Sequence, residues 1–255
     1  MILVVPARAK LNLDLKVVAR RADGFHDLRT TFQAIDLHDL IEIERADKTS
    51  FDVEGFPVNS DDNSVLQAHR AVEEAANTTL PIKIHLMKRI PPGSGMGGAS
   101  SDAATTLKIL QSMFELNLDL NAIAEQLGSD VPFFLYGGRA RAEGRGEMLV
   151  GLESGPTWFA IAWPGFELST ADVYRAWDEV QGEGPNELRK AAEHVEPKLK
   201  TFAEGLGPGW QMTGSGSAFF LAVASKDEAE KAVAKLDCWT SVATGVPRWA
   251  WSPAK

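Results

Sequence analysis

Four glycines stand directly before a helical pattern in the stretch IPPGSGMGGASSDAA, residues 90–104. Glycine lets backbone N–H groups approach a ligand closely, and a helix N-terminus adds a partial positive charge. Pro92, Gly93, Ser94, Gly95, Met96, Gly97, Gly98, Ala99, Ser100 and Ser101 therefore read as a cradle for phosphate, with a plain connecting loop as the alternative. Lys88, two residues before Ile90, adds a cation near the loop unless it is simply solvated, as lysines at strand ends usually are. Gly93, Gly95 and Gly98 formally satisfy G-x-G-x-x-G, but the setting of a dinucleotide fingerprint is missing. The preceding strand alternates, and Glu115, at the right distance for a ribose contact, falls among helix-end residues. No Gly-Lys-Ser/Thr follows, which excludes a Walker A loop, and Ser100 stands where a protein-kinase glycine loop has valine.

Such a loop needs a strand to enter it and a helix to leave it. PIKIHL at 81–86 alternates in period two, as do LIEIE at 40–44 and the first segment, in which Ala9, Leu11, Leu13, Leu15 and Val17 oppose Lys10, Asn12, Asp14 and Lys16. The spacing predicts a half-buried antiparallel strand there. Ala103, Leu107, Leu110 and Phe114 mark one face of a helix that starts after the glycines. Residues 60–76 read as a capped amphipathic helix, 119–127 as a short helix stopped by Gly128, and SDVPFFL at 129–135 as a helix start with Pro132 in its first turn. Beyond residue 153 come an apolar strand (TWFAIAW), a helical stretch, the Gly/Pro-rich QGEGPNE, a polar helix and a second apolar strand. The division predicted is residues 1–153 and 154–255, and the irregular interleaving with exposed alternation favours an α+β fold over a doubly wound α/β one.

The 255 residues are 44% apolar, enough for a substantial core. A formal charge of −9 disfavours nucleic acid and anionic membrane as partners. The longest apolar runs, such as AFFLAVA at 218–224, fall far short of the roughly 20 residues of a membrane span. The first residues lack a secretory pattern, so a cytoplasmic location is expected. A lone Cys238 excludes an internal disulfide and reads as a buried thiol. Three of the seven tryptophans, Trp239, Trp249 and Trp251, cluster near the end, as core or as a contact in a weak homodimer; a monomer is the other expectation.

Five stretches, PARAKLNLDLKV, RRADGFHDL, IPPGSGMGGASSDAA, GSDVPFFL and TGSGSAFF, occur in the order and rough spacing of the GHMP small-molecule kinases, and the chain resembles that family from about residue 6 to 224. RRADGFH is the most specific of them. The resemblance implies a ribosomal-protein-S5-like N-terminal lobe, a ferredoxin-like C-terminal lobe, and ATP and an alcohol acceptor in the cleft between them. It implies transfer of the γ-phosphoryl group to a tertiary hydroxyl, the 2-OH of a cytidylylated methylerythritol, in non-mevalonate isoprenoid synthesis. Phosphoryl transfer asks a protein mainly for positioning and electrostatics. On this resemblance Asp130 accepts the hydroxyl proton and Lys10 stabilises the developing charge, while Asn12, about 7 Å along the strand from Lys10, reaches the same acceptor. Phe25 and Tyr174 would stack on the cytosine and His26 would read its edge. Asn63 matches a position near the nucleotide, and Ser100 or Ser101 is the expected protein ligand to Mg²⁺, an ion that takes few protein oxygens.

Each residue has a plainer reading. Asp130 before Val131 and Pro132 is a good helix cap, as is Asn63; Lys10 would face solvent, Tyr174 would pack a helix, and His26 would be a loop histidine. Phe25 replaces the tyrosine usual in the family, and Met96 and Ala99 replace leucine and glycine. Phe25 keeps the stacking face but loses a hydroxyl, worth about 0.5–1.5 kcal/mol if nothing replaces its bond. The rival functions are another GHMP kinase, acting on mevalonate, homoserine or a sugar, and a nucleotide-binding sensor without catalysis; a dehydrogenase is the third.

Overall fold

The computed structural model describes residues 2–58 and 63–248, so Trp249 and Trp251 lie outside the described residues. The alternating first segment is β1 (Ile2–Arg20), paired antiparallel along its length with β2 (His26–Arg45). The other edge of β2 is shared by two strands: β4 (Ile82–Lys88) pairs with residues 40–45, and β5 (Arg139–Gly144) with residues 28–33. β3 (Ser50–Gly55), parallel to β4, and β6 (Met148–Leu152), antiparallel to β5, complete a six-stranded sheet.

Helices α1 (Ser64–Ala76), α2 (Gly98–Met113), α3 (Leu120–Leu127) and α4 (Val131–Tyr136) belong to this half. Local chemistry sets their ends: Asn63 accepts the Val65 N–H at the start of α1, Asp119 caps α3, and Gly128 ends it. The start of α2 differs slightly from expectation. It takes in Gly98, because Gly97 with φ +72° supplies the N-cap conformation one residue early.

The second half builds a four-stranded antiparallel sheet in the order β10 (Trp239–Thr244), β7 (Trp158–Trp163), β9 (Phe219–Val223), β8 (Gln211–Met212). Helices α5 (Thr170–Val180), α6 (Arg189–Val195), α7 (Lys198–Leu206) and α8 (Lys226–Val233) accompany it. Almost every residue of β7 is buried, which explains its unbroken apolar run. Among the described residues no helix is long and apolar enough to cross a membrane.

The six-stranded sheet ends at Leu152 and the four-stranded one begins at Trp158, yet packing does not divide there. Leu15 and Val17 of β1 join a core with Val173, Leu188 and Phe219. Ala9, Leu11 and Ile35 join another with Phe159, Ile161 and Phe220. The Gly/Pro-rich QGEGPNE lines the free edge of β1: Leu15 N–H donates to Pro185 O at 2.7 Å, and Glu187 N–H to Leu15 O at 2.9 Å. The expectation of a half-solvated β1 therefore fails at its centre. Lys10 and Asn12, on its polar face, are as buried as the apolar residues opposite, because two glycine turns cover them.

Candidate active site

The first of these turns is the predicted cradle. Gly95 and Gly97 have φ of +77° and +72°, a region that only glycine enters cheaply. A Cβ on Gly95 would lie 2.2 Å from Thr213 O, so the second turn, from Thr213 to Ser217, rests directly on the first. Ala218 N–H donates to Ser94 O at 3.0 Å and Ser217 N–H to Gly93 O at 3.3 Å, locking the two together. Asn186 holds the second turn from below through Met212 O and Gly214 O, at 2.8 and 2.9 Å. No side chain caps α2, so the free N–H groups of its first turn remain available to an anion.

Lys10 reaches under this cradle from β1. Its Nζ donates to Asn12 Oδ1 at 2.5 Å and Gly95 O at 2.8 Å, lies 3.4 Å from Asp130 Oδ2, and faces the Phe32 ring at 5.4 Å. Asn12 is fixed in turn by Thr30 and Thr213, so it orients the lysine. Asp130 occupies the N-cap position of α4 but makes no capping bond, which sets aside the plainer reading of that residue. The lysine side chain is 3% exposed and the carboxylate 31%, so Asp130 is the more open of the two. Burial pulls the Lys10 pKa down, and Asp130 pulls the other way.

Lys88, read as a cation near the loop or as a solvated strand-end lysine, is buried and paired. Its Nζ is enclosed by Asp39 and by Asp102, the latter at 2.8 Å, and all three side chains are buried. Burial alone would lower the Lys88 pKa, but the two carboxylates raise it. Burial pushes the Asp102 carboxyl up to about 8, with Asp39 adding to it and Lys88 opposing. Asp39 also accepts the N–H groups of Arg89 and Ile90 at 2.5 and 2.8 Å, fixing the entry to the cradle. Sequence reasoning missed Asp39, whose link to Lys88 spans 49 residues.

At the other end, His26 stacks on Tyr174 with ring centroids 5.0 Å apart and its Nε2 donates a 2.8 Å bond to Asp178 Oδ1. Burial raises the Tyr174 pKa, and the Asp130 charge adds to the effect, so its phenol stays neutral. Phe25 is half exposed, with the Arg145 guanidinium 5.0 Å from its ring centre. Asp178 and Arg145 carried no sequence signal of their own.

One cavity of about 970 Å³ joins these parts. It is lined by Lys10, Asn12, Asn63, Lys88 and Asp130, by Phe25, His26 and Tyr174, and by the cradle from Pro92 to Ser100 except Met96. Met96 instead has its side chain in the apolar core, and only its backbone is at the site, where its carbonyl accepts the Lys10 N–H at 3.0 Å. Of the two serines, Ser100 lines the cavity, whereas Ser101 is fully buried off it with its hydroxyl unpartnered. A broader groove of about 1410 Å³ beside α2, α3 and α4 contains none of the predicted residues.

Residues 63–138 match the family of GHMP kinases N terminal domains. The chain is 35% identical over 255 residues to a 4-diphosphocytidyl-2-C-methyl-D-erythritol kinase of Pseudomonas syringae pv. syringae, covering 92% of this chain and 90% of the relative. It is 38% identical to the same-named protein of Delftia acidovorans over 245 residues, with 85% of each covered. A crystal structure of a 4-(cytidine 5'-diphospho)-2C-methyl-D-erythritol kinase superposes with a TM-score of 0.80 at 35% identity, over 96% of this chain and 100% of that one. A mevalonate kinase structure, 14% identical, superposes with a TM-score of 0.69 over 96% and 99%, a likeness of fold alone.

Proposed function

The chain belongs to the 4-diphosphocytidyl-2-C-methyl-D-erythritol kinases of the GHMP kinase family, and from that premise we propose that it transfers the γ-phosphoryl group of ATP to the 2-hydroxyl of the cytidylylated methylerythritol. The observation that carries this is the 3.4 Å approach of Lys10 to Asp130, in one cavity with an uncapped glycine cradle and an aromatic pair. In this reading ATP phosphates lie on Gly93–Ser100, and the acceptor reaches in from the Phe25, His26 and Tyr174 end. Asp130 takes the hydroxyl proton as the new O–P bond forms and the bond from the γ-phosphorus to the bridging oxygen breaks, releasing ADP, and the buried Lys10 charge offsets the negative charge between them. Asn12 and Gly95 O keep the ammonium aimed, which spares reorganisation during the step.

The residues fit Mg²⁺ held mostly by nucleotide and water. Among the described residues no cluster of three acidic, histidine or cysteine side chains could chelate an ion, whereas Ser100 lines the cavity at the start of α2. When bound, the ion neutralises phosphate charge.

A coupled ADP assay tests the assignment. Turnover should require the cytidylylated erythritol; turnover of mevalonate, homoserine or galactose in its place overturns it. Asp130→Ala should lower kcat by about 10²- to 10⁴-fold with ATP binding near wild type. Normal turnover in that variant would leave Asp130 no part in the chemistry.

A further inference from the structure

Five cationic side chains line the cavity: Lys10, Arg20, Lys88, Arg145 and Arg175. Four are matched by carboxylates: Lys10 by Asp130, Arg20 by Asp178 at 3.4 Å, Lys88 by Asp39 and Asp102, and Arg175 by Asp172 at 2.9 Å. Arg145 alone forms no ion pair among the described residues. Asp23, whose carboxylate feels the Arg145 charge, is already bonded to Arg21 and to the Phe25 N–H, each at 3.1 Å.

The turn that carries Arg145 is built to hold it there. Gly144 and Gly146 adopt φ of +70° and +122° on either side, and Glu147 accepts the Arg145 N–H at 2.7 Å. A Cβ on Gly146 would lie 3.5 Å from Ser129 O and 3.7 Å from Asp130 Oδ1, so the turn rests against the proton acceptor. Its guanidinium meanwhile stands over the ring of Phe25. Arg145 thus spans the gap between the group that handles the hydroxyl and the ring that would stack on the base.

In a nucleoside-diphosphate-linked alcohol with its base at Phe25 and its hydroxyl at Asp130, the diphosphate must cross that gap. We propose that Arg145 binds the diphosphate bridge of the acceptor, an assignment that rests on the acceptor proposed above. Guanidinium matches phosphate geometry in a bidentate way and stacks on an aromatic face at the same time, which lysine does not.

Calorimetric titration of the full chain, with the ATP site filled by a non-hydrolysable ATP analogue, tests this with cytidine and CDP as probes. Arg145→Met, which keeps an apolar stem over Phe25, should weaken CDP by about tenfold and cytidine by less than about twofold, as expected for loss of a charge-assisted contact. The KM of the cytidylylated alcohol should rise in parallel with little change in kcat, and Arg145→Lys should recover part of the CDP affinity. Equal weakening of cytidine and CDP means that Arg145 only packs on Phe25, and unchanged CDP affinity means that the diphosphate lies elsewhere; either overturns the proposal while wild-type turnover leaves the acceptor standing. A wild type that binds neither probe and does not turn over the cytidylylated alcohol overturns the acceptor and, with it, the role of Arg145.

Discussion

Asp102 lies in the motif that advertises phosphate binding, and its Oδ2 accepts from Lys88 there. Two carboxylates and one ammonium in a buried site cannot all be charged comfortably, and the Asp102 carboxyl at about 8 is where the strain appears. The folded pKa stands above the ordinary carboxyl value of 3.8, so the stabilisation is full below about pH 4 and is lost as pH rises through about 8. Asp102→Asn, a neutral isostere, removes that titration. Urea unfolding from pH 5 to 8 should show wild type losing stability relative to Asp102→Asn by at most about 1.4 kcal/mol per pH unit. A pH-independent difference would mean that Asp102 stays ionised throughout. The limits of sequence reading are clearest at this scale. Lys10 and Asp130 stand out in the sequence only through family resemblance, since a lysine on a polar strand face and an aspartate before a proline both have ordinary uses. Lys88 was legible as a cation, but Asp39, which neutralises it from another strand, was not.

At the scale of elements, period and capping residues carried most of the reading. The alternation of β1, the start and stop of α3, and the apolar runs of β7 and β9 were all local, and local patterns survive folding. The role of QGEGPNE carries no such local signal: its glycines and proline describe a bend, while its contact with β1 depends on where the chain returns. The cradle is likewise an element held by another element. Gly95→Ala combines a positive φ with a 2.2 Å collision against the Thr213 backbone, so the two turns must separate and Lys10 loses its carbonyl partner. The activity should fall at least about tenfold, since positioning errors of an ångström can cost about 10²-fold. Gly207→Ala, also at a positive φ but with nothing within 4 Å of the added Cβ, is the control. It should lose about 1–2 kcal/mol of stability to backbone strain with normal kinetics. Equal kinetic loss in both variants would show that general destabilisation, not turn docking, explains Gly95.

Over the whole molecule, two sheets that look separable in sequence share their interior, and the site lies where they share it. Lys10 is on β1, flanked in the strand by Ala9 and Leu11, and those two pack on Phe159, Ile161 and Phe220 of the second sheet. An active site at such a seam keeps its geometry only if the halves do not unfold independently. All seven tryptophans lie beyond residue 157, so their fluorescence reports the second half alone, whereas far-UV circular dichroism reports both. Wild-type urea curves from the two probes should coincide, the signature of one cooperative transition. Phe159→Ala opens a cavity at the seam and should lower stability by about 3–5 kcal/mol. Because Phe159 is 1% exposed and packs on both sheets, both curves should move to lower urea together. If fluorescence shifts while the remaining dichroism keeps its wild-type midpoint, the seam does not couple the halves, and the burial of Lys10 between them would have to be maintained by the glycine turns alone.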